Sequence, residues 1–327
     1  MSVRALYRAA KVANAPSPYD TIHLKVFYPA RLSGKESQQN FGIVPANKDR
    51  SPFKIVIFFN GVNCGAERYQ WLAVKLAERG LVVVTFNWIA ENLPGRIAIT
   101  PGVEVKAWTP DVYGTIPSAS ALPTLLQVLE DLQSEGVLAG LLDLERIVLG
   151  GHSAGGRIAM ENTNPQFFPQ VVAAFAYGAH TAAAVQAGYV PGTILPLPDS
   201  LPLMLMGGTN DGVIAQSSNI YGVTWERATT PIERTFNEAI AGGRNDSYLL
   251  LLKEANHFAI THPFDANTGT TFLDFPTARS QEDIRNLMAE TIGLFIDAHV
   301  RSQTQAITAL NQLLKSSHPA IARIERK

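Results

Sequence analysis

The chain has 327 residues, 46% of them hydrophobic, with 27 Lys and Arg against 28 Asp and Glu for a formal charge of -1. That length can bury a full core without disulfide or metal staples. The balanced charge gives no electrostatic reason to expect a nucleic-acid partner, and the lone cysteine, Cys64, excludes an intramolecular disulfide and fits a reducing compartment.

The opening stretch MSVRALYRAAKVANAPSPYD carries basic residues but no apolar run of the length a secretory signal needs. No run elsewhere reaches membrane-spanning length. The expectation is therefore a soluble, cytoplasmic chain with no transmembrane segment, for which peripheral contact with a membrane stays open. No internal repeat or low-complexity tract occurs.

Strand and helix patterns alternate along the chain. TIHLKVFYPA (21–30) alternates like an edge strand, whereas FKIVIFFN (53–60) and LVVVTFNW (81–88) are continuous apolar runs, as expected of strands buried on both faces. Between the last two, ERYQWLAVKLAERG (67–80) predicts a helix closed by Gly80. Residues 89–117, rich in proline, glycine and isolated aromatics, predict a long loop excursion, functional or merely superficial.

An amphipathic helix is expected over 118–136, capped by Ser118 or Ser120, followed by the strand ERIVLG (145–150) and a helix beginning right after Ser153. Three further strands are predicted in 171–180, 201–211 and 247–257, with a helical segment around RTFNEAIAGG before the last. A long helix over 281–303 closes the domain, and 304–327 follows as a helical appendage. Such alternation implies an α/β fold, a doubly wound and mostly parallel sheet flanked by helices, as a single domain over 1–303. Ligands of such sheets sit at the carboxyl ends of the strands.

That rule singles out three residues. Ser153 follows ERIVLG directly, inside Gly151-His152-Ser153-Ala154-Gly155, a GxSxG pattern whose small flanking residues permit a tight strand-to-helix turn with the hydroxyl exposed. Asp211 ends LPLMLMGGTND and His257 ends LLLLKEANH, each just beyond a predicted strand. An aspartate in Thr-Asn-Asp-Gly is also ordinary turn chemistry. Ser153, Asp211 and His257 nevertheless stand in the chain order nucleophile, acid, base.

His262 is the alternative base, while His180 precedes Asp211 and breaks the order; His23, His299 and His318 read as structural. The second element of such a site is a pair of backbone donors for a tetrahedral oxyanion, expected at Ala154 and, in the loop after FKIVIFFN, at Val62 with Asn63 as second choice. Cys64 in that loop reads as a small buried thiol. No HExxH, paired CxxC or GxxxxGK[ST] motif occurs, so neither metal nor cofactor is expected.

These motifs resemble the α/β-hydrolase superfamily over about residues 20–300. FKIVIFFNGVNCGAERYQWLAVKLAERGLVVVTFNW is similar to the matching segment of its dienelactone hydrolase, chlorophyllase and cutinase-like polyester-hydrolase branch. The resemblance implies a cofactor-free serine esterase acting on a small-molecule ester. Ala154 stands where chlorophyllases carry arginine and polyester hydrolases methionine, and a serine replaces the cysteine nucleophile of typical dienelactone hydrolases, so the subfamily stays open. Trp88, Trp108, His152 and Asn63 are candidate substrate-binding residues, and Trp88 and Trp108 with Ile97, Ile99 and Tyr113 suggest a hydrophobic ester, chlorophyll among the alternatives. A non-catalytic ligand-binding protein on the same fold is the reading from another class.

Overall fold

The computed structural model describes residues 2–32, 44–93, 95–277 and 279–327. Met1, 33–43, Pro94 and Ala278 fall outside the described residues, and with them short parts of the expected domain and of the 89–117 excursion.

The apolar runs form a ten-stranded mixed sheet flanked by helices. Its strands are β1 (Ser2–Lys11), β2 (Thr21–Ala30), β3 (Phe53–Phe59), β4 (Val82–Leu93), β5 (Arg96–Ile99), β6 (Leu142–His152), β7 (Val171–Tyr177), β8 (Leu203–Gly208), β9 (Ser247–Leu252) and β10 (Ile321–Arg326). Their order is β1-β2-β4-β3-β6-β7-β8-β9-β10, with β5 attached to the outer end of β4. From β4 through β9 the neighbours are parallel; β1, β2, β5 and β10 pair antiparallel.

Side chains alternate between the two faces of the sheet, as the pleat requires. Ile55, Ile57 and Phe59 join one core with Leu122, Leu125 and Leu129 of α2 (Leu122–Ser134) and Ile158 of α3 (Ala154–Glu161). Val56 and Phe58 join the other with Leu72 and Leu76 of α1 (Gln70–Glu78) and Ile292 and Phe295 of the long helix over Gln281–His299. This double covering explains the unbroken apolar runs at β3 and β4.

β3 is the strand from which the chain departs in both directions: it leads through α1 to β4 on one side, and the chain later returns to β6 on the other. Such a switch opens a crevice beyond the carboxyl ends of the two central strands. β3 and β6 are in register at Phe59 and Gly151, so the loop after β3 and the turn after β6 face each other across it.

Three expectations differ from the structure. The excursion over 89–117 begins not as a loop but as a hairpin, because β4 runs on to Leu93 and pairs back with β5 before a short 3-10 turn at Val105–Trp108. α2 has Ala121 at its N-cap and no side-chain cap; Ser118 donates to Glu161 instead. Residues 304–327 are no appendage: α7 (Thr304–Lys315) leads into β10, which pairs with β9 and completes the sheet edge. The two helices between α3 and the Gln281–His299 helix, here α6, are α4 (Gly212–Gln216) and α5 (Thr230–Arg234), the latter running into a π turn at Thr235–Ala239 within the predicted helical segment. No helix among the described residues is long and apolar enough to cross a membrane.

Because β9 is buried along its whole length and β10 covers its edge, ending the chain at Ser316 exposes that ladder. The expected outcome is a loss of roughly 2–3 kcal/mol, read as a melting temperature lower by about 3–5 °C. An unchanged melting temperature by circular dichroism would contradict this role.

Candidate active site

Ser153 stands where β6 meets α3, with φ 55° and ψ -125°. A non-glycine residue held there costs about 1–3 kcal/mol, a cost the surroundings must impose. They do so by close approach. A Cβ on Gly151 would collide with the carbonyl of Gly155, and one on Gly155 with the carbonyls of Phe59 and Asn60 at the end of β3. The small residues of the GxSxG pattern thus let α3 begin directly against β3.

Asp211 is fully buried and performs two tasks with one carboxylate. Oδ1 caps α4 by accepting the Ile214 amide at 2.9 Å, and Oδ2 accepts from His257 Nδ1 at 2.8 Å. The turn aspartate and the orienting acid are one residue. With Nδ1 donating to Asp211, the lone pair of His257 lies on Nε2. His257 and Ser153 line the same cleft of about 190 Å³, together with Ala154, Trp108, Arg157, Gly178, His180 and Tyr221. Gly178 makes room for the pair, since a Cβ there would sit 3.1 Å from His257 Nδ1. The exposed His262 does not pair with Asp211.

Burial opposes charging His257, but the Asp211 charge and hydrogen bond, with the charge of Asp274, outweigh it and raise the imidazole pKa above its ordinary value. Asp274, which the sequence reading missed, is a second carboxylate at this junction. Its oxygens accept the amides of Gly212 (2.9 Å), His257 (3.2 Å), Phe258 (3.1 Å) and Phe275 (3.0 Å), so it ties the Asp211 and His257 loops together. Burial and the nearby Asp211 charge raise its pKa despite those amides. A lone aspartate just after a 3-10 turn carries no sequence signal for this role.

His152 is buried and does not line the cleft, contrary to its expected contact with substrate. Its Nε2 lies 3.0 Å from the His257 carbonyl, which can only accept, so Nε2 carries the proton and Nδ1 takes a hydrogen bond from the Tyr69 hydroxyl at 2.9 Å. That hydroxyl in turn accepts the Gly61 amide at 3.1 Å. Burial, followed by the charge of His257, holds the His152 pKa well below its usual value and keeps the ring neutral. One buried chain of hydrogen bonds therefore joins the loop after β3, the Ser153 turn and the backbone of His257.

The remaining expected residues divide. Trp108 lines the cleft, and Ala154 lines it with an amide that has no partner among the described residues. Val62 is half-buried in the loop after β3, its amide likewise without a partner there. Asn63 is spent elsewhere: its amide donates to Ile99 at 2.8 Å and its side-chain oxygen accepts from Ile99 at 3.2 Å, which pins the β4–β5 hairpin. Trp88 points away from the cleft, donating to the Tyr19 carbonyl at 2.8 Å beneath the N-terminal hairpin. Tyr113 lines a neighbouring cavity of about 390 Å³, and Ile97 is exposed on the hairpin. Burial pushes the Cys64 thiol up to about 11, which leaves it a poor nucleophile.

No model of a known protein family matches the chain, and a search of curated proteins finds no match either.

Replacing Tyr69 by Phe removes the hydroxyl that serves both Gly61 and His152, leaving a buried donor and a buried acceptor without partners. The expected cost is about 2 kcal/mol or more by urea unfolding. A change within a few tenths would show that the link carries no stability.

Proposed function

We propose that the protein is a serine-dependent carboxylic ester hydrolase working through an acyl-enzyme. The observation that carries this reading is His257 held by Asp211 at 2.8 Å in the cleft that a strained Ser153 also lines. A strand-end serine, acid and base in the order Ser153, Asp211, His257 support membership of the α/β-hydrolase class.

In this scheme His257 Nε2 takes the proton from Ser153 as its oxygen attacks the ester carbonyl. Asp211 stabilises the imidazolium and fixes its tautomer. The amides of Ala154 and Val62 receive the oxyanion, aided by the N-terminal end of α3. His257 then hands its proton to the departing alcohol, and a water activated by the same ring releases the acid and restores Ser153. The scheme draws only on side chains and amides of this chain.

The cleft, about 190 Å³ and lined by Arg157, His180 and Tyr221 beside Trp108, favours a compact ester over one the size of chlorophyll. Hydrolysis of p-nitrophenyl butyrate is the direct test. Ser153→Ala should lower turnover on the order of a million-fold if the precedent of other triads holds, and activity persisting in that variant would refute the assignment.

The pH dependence follows from the raised pKa of His257. The imidazole is protonated and idle below that pKa, so kcat/KM should climb with pH along a limb centred above 6.5, the ordinary histidine value. Asp211→Asn removes the charge that raises it, moving the limb to lower pH and cutting the rate roughly ten-thousand-fold. A limb at or above its original position in that variant would contradict the assigned pairing.

A further inference from the structure

Arg157 is the one charged side chain of the cleft wall that the hydrolytic scheme does not use. It sits on α3 four residues after Ser153, on the same helical face and about 6 Å further along the axis. Its side chain is only 12% exposed. Buried arginine is retained where its donors are met, and two of its three nitrogens are engaged: Nε donates to Glu161 at 2.7 Å, Nη1 donates to the Ala182 carbonyl at 3.0 Å, and the Trp108 ring lies 4.4 Å beneath the guanidinium. Nη2 has no partner among the described residues.

Glu161 does not reach round to fill that place. Its carboxylate already accepts from Trp108 Nε1 at 2.6 Å and Ser118 Oγ at 2.7 Å besides Arg157 Nε. The guanidinium is thus held through Nε, Nη1 and its face, with Nη2 left for a ligand. Such pre-ordering is what makes arginine suited to carboxylate recognition.

Two more donors line the same cleft. His180 Nδ1 accepts the Ala182 amide at 3.2 Å, which puts the ring proton on Nε2, without a partner among the described residues. Burial, then the charges of Arg157 and His257, hold the His180 pKa at about 3, so this ring is a neutral donor at any ordinary pH. The Tyr221 ring packs edge-on against His180, centroids 4.9 Å apart, and its hydroxyl has no partner among the described residues. The cleft therefore offers donors and positive charge, and the anions beside it, Glu161 and Asp211, are both engaged.

Building on the hydrolase reading, we propose that the substrate is a compact ester whose acid or alcohol part bears a second carboxylate, bound by Arg157 Nη2 with His180 and Tyr221. The helical spacing of about 6 Å between Ser153 and Arg157 suits a spacer of two or three carbons between that carboxylate and the scissile carbonyl. Arg157 is then the residue that sets specificity.

The test compares kcat/KM for monoethyl succinate and monoethyl glutarate with that for ethyl butyrate, by titration of released acid. O-Butyrylglycolate against ethyl butyrate probes a carboxylate on the alcohol side. At least one anionic ester should be preferred tenfold or more, with the ratio falling as salt is raised. Arg157→Gln should collapse the ratio and Arg157→Lys recover part of it. A wild-type ratio near one for every anionic ester, alongside good hydrolysis of ethyl butyrate, overturns the proposal and leaves the hydrolase reading intact. So does a preference that survives Arg157→Gln. If Arg157→Gln does not fold, the wild-type ratio and Arg157→Lys still decide. Folded wild-type protein that hydrolyses no ester, neutral or anionic, overturns the hydrolase reading and this proposal with it.

Discussion

The register of β3 against β6 is the constraint on which the site depends. With Phe59 level with Gly151, the start of α3 packs against the last carbonyls of β3, and Ser153 at the turn between β6 and α3 is held at φ 55°. The strain is local, but what holds it is the parallel sheet itself, buried by apolar cores on both faces. A serine in a free loop would relax out of this conformation at once. Rigid strands also explain why Asp211 and His257 need little else to find each other: their loops leave neighbouring parallel strands at the same level, and Asp274 fastens one to the other.

A second layer of order comes from polar groups buried where they cannot rearrange. Tyr69, His152 and the His257 carbonyl form a chain in which every donor and acceptor role is fixed by the next. In a low-dielectric interior each link left open is costly, so the chain behaves as a single unit that sets three loops relative to one another. Its counterpart on the other side of the cleft is Arg157, Glu161, Trp108 and Ser118, which binds the excursion after β5 to the helix that carries Ser153 at its cap. Both networks run from the Ser153 turn outward, one to His257 and one to the wall of the cleft.

Much of the sheet was legible in the sequence, because burial on both faces leaves unbroken apolar runs at β3, β4, β7, β8 and β9. β2 reads correctly over Thr21–Ala30 from its alternation. β1, β5 and β10 were not legible. Their residues are half exposed and mixed with charge, as in RIAI and IARIER, and what makes them strands is an edge offered by β2, β4 and β9, not their own composition. The same holds for single residues. Trp88 and Asn63 looked like site residues because they lie beside strand ends, yet the side of the backbone each faces is settled by Tyr19 and Ile99.

By itself the sequence determined the α/β alternation and the chain order of Ser153, Asp211 and His257, since periodicity and strand-end position are properties of local composition. Only the tertiary structure decided the remainder: that His257 and not His262 meets Asp211, that His152 faces inward, that Asp274 joins two loops, and that Arg157 lines the cleft. Each of these is a matter of which groups share a buried volume. That depends on the packing of elements far apart in the chain, for which no single stretch of residues carries a signal.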